Sequence, residues 1–157
     1  MPIEIADYDP HWPVTAAAAA AELRRARPGL FTELEHVGST SVPGLAAKPV
    51  IDLMAAVPAL AAVTDREAAL LALGYWRLDT GMPGRLFYPR YQDGRRAYHL
   101  HVVPADTWAT RNELLLRDHL RGHPADARRY ADLKRQLAAG GEDPAAYPGP
   151  RPASSRS

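Results

Sequence analysis

The clearest strand pattern along the chain is the nearly unbroken apolar run from Pro49 to Val57. Ile51, Leu53, Ala55 and Val57 fall on one face of an extended chain, and Val50, Asp52, Met54 and Ala56 on the other. Both faces are apolar apart from Asp52, the pattern of a central strand covered on both sides. A lone carboxylate in such a strand needs a partner or a metal. Upstream, Trp12 to Arg27 carries an alanine block running into Glu22-Leu23-Arg24-Arg25 and stopped by Pro28-Gly29, which predicts a helix docked through Trp12, Val14 and Leu23. Phe31 to Val37 predicts a short strand ended by Gly38.

Downstream, Thr64-Asp65-Arg66-Glu67 reads as a capping box for Ala-Leu-rich turns that end at Gly74. Tyr75 to Asp79 predicts a further strand. Arg85 to Tyr91 and Arg95 to Val103 predict two strands joined through Gln92-Asp93-Gly94, a hairpin signal. Trp108 to Arg121 predicts a helix with Leu114, Leu115 and Leu120 inward; Gly122-His123-Pro124 breaks it, and Ala125 to Ala139 predicts the last helix. The order predicts an α/β (α+β) domain whose mixed sheet contains an antiparallel hairpin and is flanked by helices. Residues 1–141 are expected to form one domain, and residues 142–157, rich in Pro, Gly and Ser, a disordered tail.

Composition narrows the function classes. With 157 residues, 19 Lys and Arg against 18 Asp and Glu, the chain has no charge excess that would point to a polyanionic partner. Arg128, Arg129, Lys134 and Arg135 cluster late, and a solvated helix face is favoured there over a nucleic-acid patch. The absence of cysteine excludes disulfides, Cys-ligated zinc and thiol catalysis. No signal-peptide pattern or spanning apolar run is present, so a cytoplasmic protein is expected.

The candidate chemistry starts at Gly38-Ser39, a turn after a strand, followed by the hydroxyls of Thr40 and Ser41, a second glycine at Gly44, and Lys48 within reach of an anion. Neither the P-loop nor the dinucleotide glycine pattern is present. His99 and His101 alternate along the second hairpin strand and share a face. Placed opposite Asp52 they make a two-His, one-carboxylate set suited to Zn²⁺, Mn²⁺ or Fe²⁺, or one of them serves as a general base. The alternative is that both simply line the polar side of a half-exposed strand. Arg117 offers either phosphate stabilisation or a surface ion pair with Asp118, Arg85 a further phosphate contact, and His36 either an anion contact or a packed ring.

The run from Glu35-His36-Val37-Gly38-Ser39-Thr40-Ser41 through Pro43-Gly44 to Lys48-Pro49-Val50-Ile51-Asp52 resembles the hallmark of the GrpB family. Tyr98-His99-Leu100-His101-Val102-Val103 and Leu116-Arg117-Asp118-His119-Leu120-Arg121 resemble its other two signatures, in order. The resemblance implies a nucleotidyltransferase-like fold and covers the chain from the first helix to about Ala139. Active members of that fold pair the Gly-Ser turn with acid-hydrophobic-acid on the next strand, where Mg²⁺ or Mn²⁺ is held. Here Val50 or Met54 stands where the second acid belongs, and His99 and His101 stand where a third acid is expected.

The resemblance therefore implies Asp52, His99 and His101 as catalytic and metal-ligating residues, with Zn²⁺ as the metal if the histidines ligate. It implies Gly38, Ser39, Thr40, Ser41, Lys48 and Arg117 as the phosphate-binding set. The ligand expected is a nucleotide or another phosphorylated small molecule, with metal-dependent nucleotidyl transfer as the fullest activity. A non-catalytic ligand-binding module and a metal-dependent hydrolase built on Asp52, His99 and His101 remain the alternatives, and whether the chain is an enzyme stays open. No nucleic-acid or membrane partner is indicated. The family's last helix is not expected here, and apolar surface uncovered by its loss could support a homodimer.

Overall fold

A computed structural model describes residues 4–140. In chain order it comprises α1 (Trp12–Ala26), β1 (Glu33–Val37), β2 (Ile51–Val57), α2 (Ala61–Thr64), α3 (Ala68–Ala72), β3 (Leu86–Gln92), β4 (Arg95–Pro104), α4 (Asn112–Gly122) and α5 (Pro124–Ala139). Short 3₁₀ turns, Ser39–Ser41 and Ala105–Thr110, follow β1 and β4. The four strands form one mixed sheet in the order β1-β2-β4-β3, with β2 and β4 parallel and both outer pairs antiparallel. The expected tail, residues 142–157, lies outside the described residues.

The run read as a central strand is central. Ile51, Leu53, Ala55 and Val57 pack with Trp12, Ala16, Ala19 and Leu23 of α1 and with Leu70, Tyr88, Leu100 and Val102 in the main core. On the opposite face Met54, wholly buried, packs with Val37, Val103 and Leu114, with Trp108 against them. Helices α4 and α5 meet the loop after β1 through a third cluster of Val42, Leu45, Leu120, Ala127 and Tyr130. The sheet is therefore covered by α1 and α3 on one side. On the other, α4 and α5 reach over the Asp52 end of β2 and enclose a cleft.

Several expectations change. Val14 is 62% exposed rather than docked. The buried stripe of α1 runs Trp12, Ala16, Ala19, Leu23, one residue per turn, and Val14 sits about 200° round the helix from Trp12. Leu115 is likewise exposed, because α4 faces inward through Leu114 and Leu120. The helix expected from Trp108 starts only at Asn112; the extended backbone of Arg111 separates it from the preceding 3₁₀ turn. Thr64 ends α2 instead of capping α3, whose N-cap is the helical Glu67 with no side-chain cap bond. Tyr75 to Asp79 is not a regular strand, although Trp76 and Leu78 donate backbone hydrogen bonds to Pro89 and Phe87 at the outer edge of β3.

The hairpin turns at Asp93 and Gly94, both with positive φ (55° and 77°), as a two-residue loop twisted to match its strands requires. A β-bulge then shifts the register between Arg90 and Tyr91, so that Phe87 pairs with His101 and Pro89 with His99. No helix among the described residues is long and apolar enough to cross a membrane.

Candidate functional site

The backbone leaving β1 must turn sharply over the start of β2, and Gly38 makes the turn with φ 76° and ψ −177°. That region of backbone space is almost closed to other residues. The approach is also close: a Cβ on Gly38 would lie 2.6 Å from Oδ2 of Asp52. The turn therefore rests directly against the Asp52 carboxylate.

Strand pairing supplies the rest of the centre. Asp52 pairs with His99 across the parallel β2–β4 ladder, and His101 lies two residues further along the same face. Nδ1 of His99 is 3.1 Å and Nε2 of His101 3.3 Å from the same oxygen, Oδ1 of Asp52. One ligand atom from each residue falls within 4.8 Å of the others. Burial alone would raise the Asp52 carboxyl, but the hydrogen bonds and charge of His101 and His99 outweigh it and hold the group well below the usual carboxylate range. Phe87 packs on both imidazoles, with ring centroids 5.0 Å from His99 and 5.1 Å from His101. Nε2 of His99 is buried without a hydrogen-bond partner.

The donor set discriminates between metals. Ligands at about 2.0–2.2 Å from one ion sit roughly 3.0–3.5 Å from each other, close to the two Asp52–His separations. Two nitrogens and one oxygen suit a borderline transition ion better than Mg²⁺. The neighbours of Asp52 on its own face are Val50 and Met54, both buried and neither carrying a carboxylate, so no second acid stands beside Asp52 for a two-metal magnesium centre.

A cavity of about 330 Å³ opens in front of this cluster, lined among others by Gly38, Ser39, Thr40, Lys48, Arg117 and Lys134. Of the six residues expected at phosphate, five line it and Ser41 does not. The Ser41 hydroxyl donates to the Gly38 carbonyl at 2.5 Å, closing the turn. Thr40 donates to the Val50 carbonyl and accepts from Nε2 of His36 at 2.8 Å, so its hydroxyl is engaged in the fold. Arg117 holds Glu35 at 2.6 Å, the His36 carbonyl at 3.1 Å and Asp118 at 2.9 Å, clamping α4 to β1. Arg85 pairs with Glu113 at 2.7 Å. Burial raises the Glu113 carboxyl, but the Arg85 charge and hydrogen bond outweigh it and lower it overall.

Phe87, Glu113, Tyr130 and Lys134, none of them a site candidate from sequence, also line the cavity. The late basic cluster predicts a solvated face for Lys134, yet it is only 9% exposed, and its Nζ donates to the Ser39 hydroxyl at 2.9 Å. The available signal was the helical spacing of Ala127, Tyr130 and Lys134, which makes one inward stripe of α5.

His36 belongs to the scaffold of the turn and carries a pH prediction. Burial, aided by Arg121 and Arg117 and opposed by Asp52, pushes its pKa down to about 4 from an ordinary 6.5. The unfolded chain binds a proton near 6.5 while the native imidazole resists it, so stability is full above pH 6.5 and is lost as pH falls towards 4. The loss should reach up to about 3 kcal/mol. Denaturation at pH 7 and 4.5, beside an NMR titration of the imidazole, measures it; a His36 titrating at or above 6.5 refutes it.

Comparison with known proteins gives consistent matches. A family model described as GrpB protein matches residues 2–150. The chain is 44% identical over 147 residues to a UPF0157 protein of Pseudomonas aeruginosa, covering 87% of this chain and 57% of that protein. It is 34% identical to the UPF0157 protein YqkA of Bacillus subtilis, covering 87% of this chain and 40% of the relative, so it spans about half the length of these relatives. Among solved structures, the conserved protein GrpB from Enterococcus faecalis superposes with a TM-score of 0.81 at 32% identity, covering 87% of this chain and 84% of that one. The Cid1 poly(U) polymerase superposes with a TM-score of 0.54 at 16% identity, over 85% of this chain and 42% of that one, a likeness of fold alone.

Proposed function

This chain belongs to the GrpB family, with a nucleotidyltransferase-like fold, and we propose that its cleft binds a nucleotide or another phosphorylated small molecule together with one divalent transition metal. The observation that carries the reading is the meeting of Asp52, His99 and His101, ligand atoms within 4.8 Å, at the floor of the cavity that the Gly38-Ser39 turn borders. The three residues would hold the ion, and when bound such an ion acts as a Lewis acid on a phosphoryl oxygen. The turn and Lys134 would orient the anion against it, and the apolar lining would exclude water.

Whether catalysis follows is a separate matter, and the donor set favours one course. Val50 and Met54 beside Asp52 argue against ordinary two-metal nucleotidyl transfer, whereas two imidazoles and a carboxylate suit one-metal hydrolysis of a phosphoester. The two-part test is elemental analysis of protein purified without chelator, then calorimetric titration with ATP, CTP, GTP, UTP and inorganic phosphate in the presence of Mn²⁺. Expected are near-stoichiometric zinc, manganese or iron and binding of at least one probe below about 1 mM. Absence of any binding at that concentration refutes the reading.

A further inference from the structure

Lys134 is the most telling group that motif reading leaves aside. A primary ammonium carries three donors; one makes the 2.9 Å bond to the Ser39 hydroxyl, and the Tyr130 ring lies 4.8 Å from Nζ. Among the described residues no carboxylate lies within ion-pair distance of it. The side chain is nine-tenths buried and has no counter-ion among the described residues, an arrangement that favours an anion beside it. The group lines the same cavity as Asp52, His99 and His101. An anion in the cavity satisfies it.

The other cations around the cleft are engaged. Arg117 is held by Glu35, Asp118 and a carbonyl, Arg85 by Glu113, and Lys48 is already partnered. Among the described residues lining the cavity, Lys134 is a cation with no carboxylate partner and with donors beyond its bond to Ser39. With Arg85 offset by Glu113 and Arg117 by Glu35, a divalent ion and Lys134 against the Asp52 carboxylate leave about two positive charges, and Lys48 on the wall adds at most one, enough for a phosphate monoester at about −1.5 to −2 near pH 7. A triphosphate brings more negative charge than these groups balance. The cavity, about 330 Å³, is also at the small end of the roughly 300–1,000 Å³ typical of ligand sites. Much of the remaining wall is apolar or aromatic: Val42, Phe87, Leu116, Leu120 and Tyr130.

We infer that the ligand is a phosphate monoester with a small, largely apolar or aromatic organic group, its dianion held between the Lys134–Ser39 pair and the Asp52–His99–His101 metal site. This rests on the phosphorylated-ligand reading above and narrows it. The test is calorimetry on the wild-type chain with Mn²⁺, using phenyl phosphate, methyl phenyl phosphate (the same ring with one negative charge) and ATP, repeated with Lys134→Met. Phenyl phosphate should bind at least about tenfold more tightly than either other probe, and Lys134→Met should weaken it about ten- to a hundredfold, the scale of a hydrogen bond to a charged group. An equally tight diester or ATP overturns the monoester assignment and leaves the broader reading standing. Failure of all three probes overturns the monoester assignment, and the broader reading falls with it only if CTP, GTP, UTP and inorganic phosphate fail to bind as well. Unchanged binding in a folded Lys134→Met overturns the role of Lys134; should that variant not fold, the wild-type ranking of the three probes still decides the ligand class.

Discussion

Gly38→Ala is expected to destabilise the protein by about 2–6 kcal/mol, combining backbone strain with forced packing. For a chain of this size that lowers the melting temperature by roughly 5–20 °C. Two independent causes act at one atom. The φ of 76° with an extended ψ is a conformation that a side chain resists, and the new methyl would stand 2.6 Å from Asp52 Oδ2 and 3.0 Å from Asp52 Cβ. Neither neighbour can swing away, because Asp52 is tied to both histidines and sits in the central strand. Gly44→Ala is the control. Its φ is also positive, 80°, but an added Cβ meets nothing within 4 Å, so only the conformational cost of about 1–2 kcal/mol applies. Thermal melts of both variants measure the difference; equal destabilisation would show that the contact with Asp52 carries no weight.

Replacing His99 and His101 together by alanine is expected to abolish metal retention. Loss of an outer-shell partner alone costs a metal site about ten- to a hundredfold in affinity, and this change removes two of three direct donors. Elemental analysis after desalting, with cobalt absorption as a second readout, measures the loss. Unaltered metal content in the double variant refutes the ligand assignment. His36→Asn serves as the comparison, since that ring bonds Thr40 and is no part of the ligand set; its metal content should stay at the wild-type level.

The central features of the fold were legible because they depend on local alternation. Period two from Ile51 to Val57 placed Asp52 opposite the main core face, and His-x-His placed two rings on one side of β4. What sequence could not supply was the register that brings them together. A β-bulge between Arg90 and Tyr91 turns Phe87 rather than Leu86 towards His101, and nothing in the composition of the hairpin marks it. Lys134 and Glu113 were illegible for a different reason. Each sits on a helix whose docking is decided by distant contacts, Tyr130 against Val42 and Arg117 against Glu35, so their orientation is a tertiary property. Val14 and Leu115 failed the other way: apolar residues off the buried stripe read as core until the helix phase is known.

The parallel pairing of β2 with β4 has a kinetic consequence. The β3–β4 hairpin joins neighbours in sequence and can form within microseconds, but Asp52 and His99 lie 47 positions apart, and closing that loop carries an entropic penalty before any contact rewards it. The three donors are thus assembled only once the slowest strand pairing is in place. An ion seated among them would act as a clasp across that ladder, leaving the folding rate nearly untouched and slowing the escape from the native state.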